Sequence, residues 1–366
     1  MKILFIEPSD NSFFSFRKEL FDSLIRNKHD LYLCTNVSER IKKLYKNSVN
    51  ELIHYEVNLK SKNVFSNLHL KYFYKKTIKR IKPDLIISYK IKPNIYCGFY
   101  AKKIPMIANI TGLGNMFKNK GPFFKLGVHL YRKSFKNISH IFFQNQDGFN
   151  FFKDNKIPIN NYKIIPGSGV NTDRFRKIGF SDSHRINFLF ASRAIKEKGF
   201  DLLVRAIPNI LSINQNVCFN FVKNEEDLMK NAIAKEIFQK YSNYIKVVDR
   251  SDEMEKLYSK NDFTVAPSYY REGISNILIE SLACETPIIT TNDNFGCKEV
   301  LQEGINGFGV KSNDFESLIN ALVRASYCDK KVISEMGRSG RKFVVEKFNR
   351  NTVIKAYLDV IESLRT

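Results

Sequence analysis

The feature that most constrains the fold is an alternation of short apolar runs and helical stretches that occurs twice along the chain. The first series has five candidate strands, separated by helical segments such as 13–27 and 94–102. The strands are residues 2–6, 30–34, 85–88, 106–109 and 141–144. Apolar runs of this length are typical of parallel strands that helices cover on both faces. We therefore predict a βαβ domain.

The alternation restarts after a crossing near residues 167–177, which indicates a second domain of the same kind. Its candidate strands are residues 186–192, 217–222, 245–248, 263–266 and 287–291. A chain of 366 residues also exceeds what one hydrophobic core usually supports. We predict an α/β protein with two Rossmann-like parallel-sheet domains that face a central cleft, with ligands at the carboxyl ends of the strands.

Two carboxylates, Glu272 and Glu280, lie between the last two predicted strands. The segment predicts a crossover helix that starts at Glu272 and Gly273, where unpaired N–H groups and the helix dipole favour an anion. Glu280 then lies about 2.2 turns further, on broadly the same side. This layout suits a nucleotide sugar, whose diphosphate separates two groups of hydroxyls. From spacing alone, a helix with one N-terminal acid and one solvated glutamate remains equally open.

Further motifs around this segment occur in the order found in one family. They are Ile165-Pro166-Gly167, Arg193 with Lys198-Gly199, Glu272-Gly273-Ile274-Ser275-Asn276 with Glu280, and Gly296-Cys297-Lys298-Glu299-Val300 with Gly304-Ile305-Asn306-Gly307. The chain resembles, over nearly its whole length, the retaining glycosyltransferases of family 4, which have the GT-B fold. The resemblance implies an N-terminal acceptor-binding domain (1–176), a nucleotide-sugar-binding domain (177–345) and a C-terminal helix that crosses back (346–366).

The resemblance also implies the roles of individual residues. Arg193 and Lys198 would hold the donor diphosphate, Glu280 the ribose hydroxyls, and Glu272 the hydroxyls of the transferred sugar. The remaining donor-site candidates are Gly273, Ile274, Ser275, Asn276 and Arg250, and the acceptor-site candidates are Lys92, Asn94, Thr111, Gly112, Gly114 and Asn115. Where many members have a glycine-rich loop after the first strand, this chain has Glu7-Pro8-Ser9.

The implied activity is transfer of a hexose or N-acetylhexosamine from a UDP-sugar to a polyprenyl-diphosphate-linked saccharide, with an α-linkage and retention. Segments such as Ile110-Thr111-Gly112 resemble transferases of O-antigen, capsule or glycoprotein glycan assembly. A sugar-nucleotide epimerase of the same fold remains the enzymatic alternative. No Asp-x-Asp triplet occurs in the sequence, so we expect no metal and no other cofactor. The six scattered cysteines suit a cytoplasmic protein.

A formal net charge of +22 is the second constraint on function. The segments 60–82 and 116–136 are rich in Lys, Arg and aromatic residues and contain no acidic residue. Such segments can lie on an anionic membrane surface, can be ordinary solvated faces, or can contact nucleic acid. No nucleic-acid-binding signature accompanies the charge, and no apolar run approaches the about 20 residues that span a bilayer. We expect a peripheral protein at the inner face of the cytoplasmic membrane, without a nucleic-acid partner; a nonenzymatic membrane scaffold stays open.

Overall fold

The protein forms two compact units in a computed structural model that describes residues 1–55, 64–112, 121–179, 183–222, 231–249, 253–270, 273–294 and 296–365. Unit 1 comprises Met1–Ser168 with Asn351–Thr366, and unit 2 comprises Gly169–Arg350. Each unit is built on its own parallel sheet with helices on both faces. The prediction of two Rossmann-like α/β domains is confirmed.

Unit 1 contains a seven-stranded parallel sheet in the order β3-β2-β1-β4-β5-β6-β7. The strands are β1 (Lys2–Ile6), β2 (Asp30–Thr35), β3 (Glu51–His54), β4 (Leu85–Tyr89), β5 (Met106–Ile110), β6 (His140–Phe143) and β7 (Tyr162–Ile164). The helices are α1 (Asp10–Phe16), α2 (Lys18–Arg26), α3 (Glu39–Tyr45), α4 (Val64–Ile81), α5 (Ile91–Gly98), α6 (Pro122–Ser134) and α7 (Gln146–Asp154). From β1 the chain proceeds to β2 and β3 on one side, and it then returns to β4 on the other side of β1.

The helices of unit 1 divide between the two faces of the sheet according to their buried side chains. One face packs against α4, α5, α6 and α7 through residues such as Leu70, Ile95, Val128 and Phe152. The other face packs against α1, α2 and α3. Because successive residues of a strand point to opposite faces, one sheet supports both cores.

Unit 2 contains a six-stranded parallel sheet in the order β10-β9-β8-β11-β12-β13. The strands are β8 (Ile186–Phe190), β9 (Val217–Val222), β10 (Ile245–Val248), β11 (Phe263–Ala266), β12 (Ile288–Thr291) and β13 (Gly307–Val310). The helices are α8 (Phe200–Ile213), α9 (Ala232–Lys240), α10 (Met254–Ser259), α11 (Asn276–Ala283), α12 (Phe315–Ser326) and α13 (Lys330–Lys347). The last helix, α14 (Arg350–Ser363), packs Val353, Tyr357 and Ile361 on the core of unit 1.

Several predicted elements differ from the structure. The helical segment 13–27 is two helices, because Arg17 leaves the helical conformation at φ −124° and ψ −16°. The predicted C-terminal helix, residues 346–366, is likewise divided between α13 and α14, with a break at Phe348 and Asn349. Strands β3, β7 and β13 were not predicted. The units divide near Gly169 and Arg350 instead of at 176 and 345, since Val170 and Phe348 pack in the core of unit 2.

Candidate functional site

The carboxyl ends of β8 and β11 form the point in unit 2 where the chain reverses its direction of travel across the sheet. From β8 the chain proceeds to β9 and β10 on one side, and it then returns to β11 on the other. Ligands of doubly wound sheets bind at this point, because the loops that follow the two strands separate there. The loop after β8 carries Arg193 and Lys198, and the loop after β11 carries Tyr270.

Arg193 and Lys198 meet at the aromatic ring of Tyr270. The Arg193 guanidinium carbon lies 5.5 Å from the ring centroid, and the Lys198 Nζ lies 5.4 Å from it. A cation at this distance from an aromatic ring is attracted to the ring electrons, which holds the two charges in place. Arg193 is exposed, whereas Lys198 is 5% exposed. The two predicted cations therefore share one location, and Tyr270, which was not predicted, orients them.

A glycine allows the loop after β8 to reach the loop after β11. Gly199 has φ +75°, and a Cβ at this position would lie 2.4 Å from the carbonyl oxygen of Pro267. The loops are also joined by the Tyr269 N–H, which donates to the Glu197 carbonyl oxygen at 2.9 Å. No larger residue fits between the two backbones without moving one of them. The glycine of the Lys198-Gly199 motif therefore has a structural reason.

Asn294, another residue that was not predicted, supports the loop that carries Tyr270. Its Nδ2 donates to the carbonyl oxygens of Ser268 at 2.6 Å and Tyr270 at 3.2 Å. The Thr291 Oγ1 also donates to the Ser268 carbonyl oxygen, at 2.7 Å. These buried hydrogen bonds fix the backbone conformation of the loop, since an unsatisfied buried carbonyl is costly.

Gly296 brings a third loop, the one after β12, against the segment that precedes α11. It has φ +73°, and a Cβ there would lie 1.7 Å from the carbonyl oxygen of Gly273 and 3.2 Å from the backbone nitrogen of Ile274. The glycine of the Gly296-to-Val300 motif thus permits direct contact between two backbones. This contact positions Gly273 and Ile274, which are both buried.

The helix after these residues begins later than predicted. Ser275 is its N-cap, with φ −74° and ψ 108°, and α11 starts at Asn276. The prediction that the helix starts at Glu272 and Gly273 is therefore wrong, since Gly273 and Ile274 precede the N-cap. Gly273 and Ser275 lie just before a helix N-terminus, where backbone N–H groups favour an anion. Glu272 itself lies outside the described residues.

Glu280 stands one turn after the start of α11, on the same side as Asn276. Both side chains are half-buried, whereas Leu278 and Ile279 are buried in the core. The Tyr258 hydroxyl donates to Glu280 Oε2 at 3.1 Å and so limits the positions of the carboxylate. Burial raises the pKa of the Cys284 thiol well above its ordinary value, and the Glu280 charge raises it further.

The predicted acceptor-site residues lie in unit 1, and one of them is a core residue. The Ser88 hydroxyl donates to Asn94 Oδ1 at 2.5 Å, and Asn94 Nδ2 donates to the Asn109 carbonyl oxygen at 2.8 Å. Asn94 is 1% exposed. Its amide links the start of α5 to the neighbouring strands, so an acceptor contact by this side chain is not supported.

Three other acceptor-site candidates follow the neighbouring strands β4 and β5. Lys92 is half-buried in the first turn of α5, and burial lowers the pKa of its ammonium group. Thr111 and Gly112 come directly after β5 and are also half-buried. Because β4 and β5 are parallel neighbours, all three lie at the same edge of the sheet. Gly114, Asn115 and the donor-site candidate Arg250 lie outside the described residues.

A buried ion pair that the sequence did not reveal occupies the carboxyl end of β1. Glu7 is completely buried, and its Oε2 lies 3.7 Å from Nε of Arg17. The Arg17 guanidinium carbon also lies 4.1 Å from the centroid of the Tyr89 ring. Tyr89 is the last residue of β4, the strand that pairs with β1. Charged side chains thus fill the space after β1.

Neither a metal site nor a membrane-spanning helix is found in the part of the chain that the structure describes. There, no three His, Cys, Asp or Glu side chains gather in the way that ligands of a metal ion do. Within the same ranges, no helix combines the length and the apolar character needed to cross a membrane.

The two parallel sheets, each with a reversal point in its strand order, give the protein the GT-B fold. The structure is similar to a glycosyltransferase from Rickettsia africae ESF-5 (TM-score 0.79, 19% identity, 100% of this chain and 98% of that one). It is also similar to Anabaena Alr3699/HepE in complex with UDP-glucose (TM-score 0.76, 15% identity, 99% and 100% covered).

Sequence comparison gives the family. The family model described as "Glycosyl transferases group 1" matches residues 171–343, and the one described as "Glycosyl transferase 4-like" matches residues 2–145. The chain belongs to the family-4-type glycosyltransferases. It is 23% identical, over 99% of its length and 98% of the relative, to the Campylobacter jejuni N,N'-diacetylbacillosaminyl-diphospho-undecaprenol alpha-1,3-N-acetylgalactosaminyltransferase. It is 26% identical to the Staphylococcus aureus capsular polysaccharide biosynthesis glycosyltransferase CapM, over 56% of this chain and 54% of that one.

Proposed function

We propose that the protein transfers a hexose or N-acetylhexosamine from a UDP-sugar to a polyprenyl-diphosphate-linked saccharide, with retention and an α-linkage. The observation that carries the proposal is the pair of cations, Arg193 and Lys198, on the ring of Tyr270, a residue between β11 and α11. A UDP complex of the Anabaena neighbour and the lipid-linked acceptor in the name of the Campylobacter relative support the choice of donor and acceptor.

The cations act on the leaving group. Cleavage of the bond between the anomeric carbon and the diphosphate oxygen increases the negative charge on UDP, so Arg193 and Lys198 stabilise the transition state more than the bound donor. The N–H groups at the start of α11 add to this effect. Glu280 binds the ribose hydroxyls and Glu272 binds the hydroxyls of the transferred sugar. These fixed positive groups take the place of a metal ion, and the reaction needs no cofactor.

Retention follows from attack on the face that the diphosphate leaves. The acceptor oxygen forms the new bond to the anomeric carbon as the bond to the diphosphate breaks. The proton of the acceptor hydroxyl passes to an oxygen of the departing diphosphate, so no side chain needs to become a covalent intermediate.

The acceptor side of the proposal involves unit 1. Lys92, Thr111 and Gly112, with Gly114 and Asn115, bind the lipid-linked saccharide, and the Lys92 ammonium meets its diphosphate. An acceptor of this kind is anchored in a lipid bilayer. The protein therefore works in the cytoplasm, at the inner face of the cytoplasmic membrane, without spanning it.

A radiolabelled transfer assay tests the proposal with a panel of UDP-sugars, each with and without undecaprenyl-diphosphate-linked saccharides. We expect label from one donor to enter the lipid fraction, also when EDTA is present. The anomeric configuration of the product, read by NMR, should be that of the donor. Isomerised donor without transfer would favour the epimerase, and the absence of saturable UDP-sugar binding would overturn the donor site.

A further inference from the structure

Two helices of unit 1, α4 and α6, present their outer faces on the same side of the sheet. Both pack on one face of the sheet, α4 through residues such as Leu70 and Tyr74 and α6 through Val128 and Tyr131. Helix α5 lies between them and contacts both. Each helix connects parallel strands, so α4 and α6 run in the same direction and their first halves lie on the same side.

The first halves of both helices expose large apolar side chains. In α4 these are Phe65, Leu68 and Tyr72, with exposed fractions of 81%, 57% and 63%. The spacing places them on one stripe of the helix. In α6, Phe123 and Leu126 are 60% and 53% exposed. Single exposed apolar residues are ordinary, but several on two helices of the same sheet face mark an interaction surface.

The second halves of the same helices are basic. Helix α4 continues with Lys75, Lys76 and Lys79, and α6 with Arg132 and Lys133, all of which are exposed. Neither helix contains an acidic residue. We name the outer faces of α4 and α6 the basic-apolar face. It excludes Arg80, whose guanidinium is paired with the Glu51 carboxylate at 2.7 and 2.8 Å.

The charge of the protein is concentrated in the unit that carries this face. Unit 1 has 32 Lys and Arg against 13 Asp and Glu, a formal charge of +19. Unit 2 has 27 against 24, a formal charge of +3. Unit 1 thus supplies most of the total of +22. A strong positive potential attracts an anionic surface to unit 1.

We propose that the basic-apolar face docks on an anionic lipid bilayer. Phe65, Leu68 and Leu126 enter the boundary between headgroups and acyl chains, and the lysines of the second halves meet the lipid phosphates. Charge alone would suit nucleic acid equally well, but aliphatic side chains at the same face favour lipid. The inference rests on the proposed function in so far as a lipid-linked acceptor must be reached at a membrane.

Vesicle co-sedimentation tests the docking face with the full chain and without donor or acceptor. One set of vesicles contains equimolar phosphatidylglycerol and phosphatidylcholine, and the other phosphatidylcholine alone. We expect the protein to bind the anionic set and to be released at high salt. The combined variant Leu68→Ser with Leu126→Ser should lower the partition coefficient about tenfold. Lys75→Gln with Lys76→Gln should lower it by about the same factor at low salt.

Helix α3 supplies matched controls, because it lies on the opposite face of the same sheet. Leu44 is 47% exposed there, and Lys43 and Lys46 are exposed. Leu44→Ser and the pair Lys43→Gln with Lys46→Gln should change the partition coefficient by less than about twofold, since they keep the docking face intact. Circular dichroism confirms that each variant is folded.

Two results would overturn the docking proposal. If the variants of α4 and α6 bind vesicles as the controls do, the face is not the membrane contact. If oligonucleotides bind, but anionic vesicles do not, the face is a nucleic-acid surface. Since neither sugar donor nor acceptor is present, these results are independent of whether the protein transfers sugar.

Discussion

The two units share a topology but use the reversal point of the sheet in different ways. In unit 2 the loops after β8 and β11 bring Arg193, which is exposed, and Lys198 to one aromatic ring. In unit 1 the corresponding position after β1 is filled by Glu7 and Arg17, which are buried against each other. The parallel sheet supplies the crevice in both cases. The side chains then decide whether a charge at this point faces solvent, as at Arg193, or is buried in the core, as at Glu7 and Arg17.

Removal of Arg17 is the largest change we expect to the stability of unit 1. Arg17→Met leaves the Glu7 carboxylate buried without its cation, which should cost about 3–5 kcal/mol in the free energy of unfolding. Urea denaturation followed by circular dichroism measures the shift. Replacing both partners, as Arg17→Met with Glu7→Leu, should recover most of the loss, because no charge is then left in the core.

An ion pair in unit 2 provides the matched comparison. The Lys330 Nζ lies 2.7 Å from Asp262 Oδ1, but the lysine side chain is 43% exposed. Asp262 Oδ2 also accepts a hydrogen bond from the Asn187 N–H at 2.8 Å. Lys330→Met should therefore cost only about 1 kcal/mol or less. If Arg17→Met and Lys330→Met lower the free energy of unfolding equally, burial does not determine what the two ion pairs contribute to stability.

Removal of Arg193 should have the next largest effect, on catalysis and not on folding. Arg193→Ala removes a cation from the site of the leaving diphosphate, so transfer should fall about 10²–10³-fold in kcat/KM. Arg205→Ala is the control, because Arg205 is also exposed in unit 2 and its guanidinium carbon lies 5.3 Å from the ring centroid of Phe315. Transfer near the wild-type rate in both Arg193→Ala and Glu272→Ala would refute the assigned donor site.

Substitutions at two glycines of unit 2 distinguish the cost of backbone strain from the cost of close packing. Gly296 and Gly304 have φ values of +73° and +72°, but only a Cβ at Gly296 would meet other atoms, those of Gly273 and Ile274. Gly304→Ala should cost about 1 kcal/mol through its φ alone. Gly296→Ala should cost about 1–3 kcal/mol more, because the segment before α11 must move. Thermal denaturation and UDP binding by calorimetry measure the two effects, and equal behaviour of both variants would contradict the assigned contact.

The sequence predicted the strands that are continuous apolar runs, such as β1 and β8, because burial on both faces leaves that pattern. It did not predict β3, which begins and ends with Glu51 and His54, or β13, which contains Gly307 and Gly309. These strands lie at the edges of their sheets, where one side of the backbone has no neighbouring strand. An edge strand needs less apolar sequence, so the pattern is weaker.

The candidate site was predictable where a motif marks a backbone requirement. Gly199, in the Lys198-Gly199 motif, and Gly296 mark places where two backbones touch, and a glycine in a motif can signal such a requirement. Tyr270 and Asn294 follow strands without any distinctive spacing, and their roles depend on contacts between loops distant in sequence. The buried state of Asn94 could not be predicted for the same reason, since its partners Ser88 and Asn109 lie on other strands.

The smallest effect we expect is a pH dependence of stability that arises from His140 in unit 1. Burial, and then the charge of Lys163, lowers the pKa of His140 from 6.5 to about 4. The unfolded chain therefore binds a proton in this interval that the folded chain does not, so His140 stabilises the fold fully above pH 6.5 and progressively less as the pH falls towards 4. His140→Phe should make the denaturation midpoint less dependent on pH in this interval. His184→Gln, at an exposed position of unit 2, is the control and should leave the slope of the denaturation midpoint against pH unchanged. If His140→Phe also has the wild-type slope, His140 is not the source of the pH dependence.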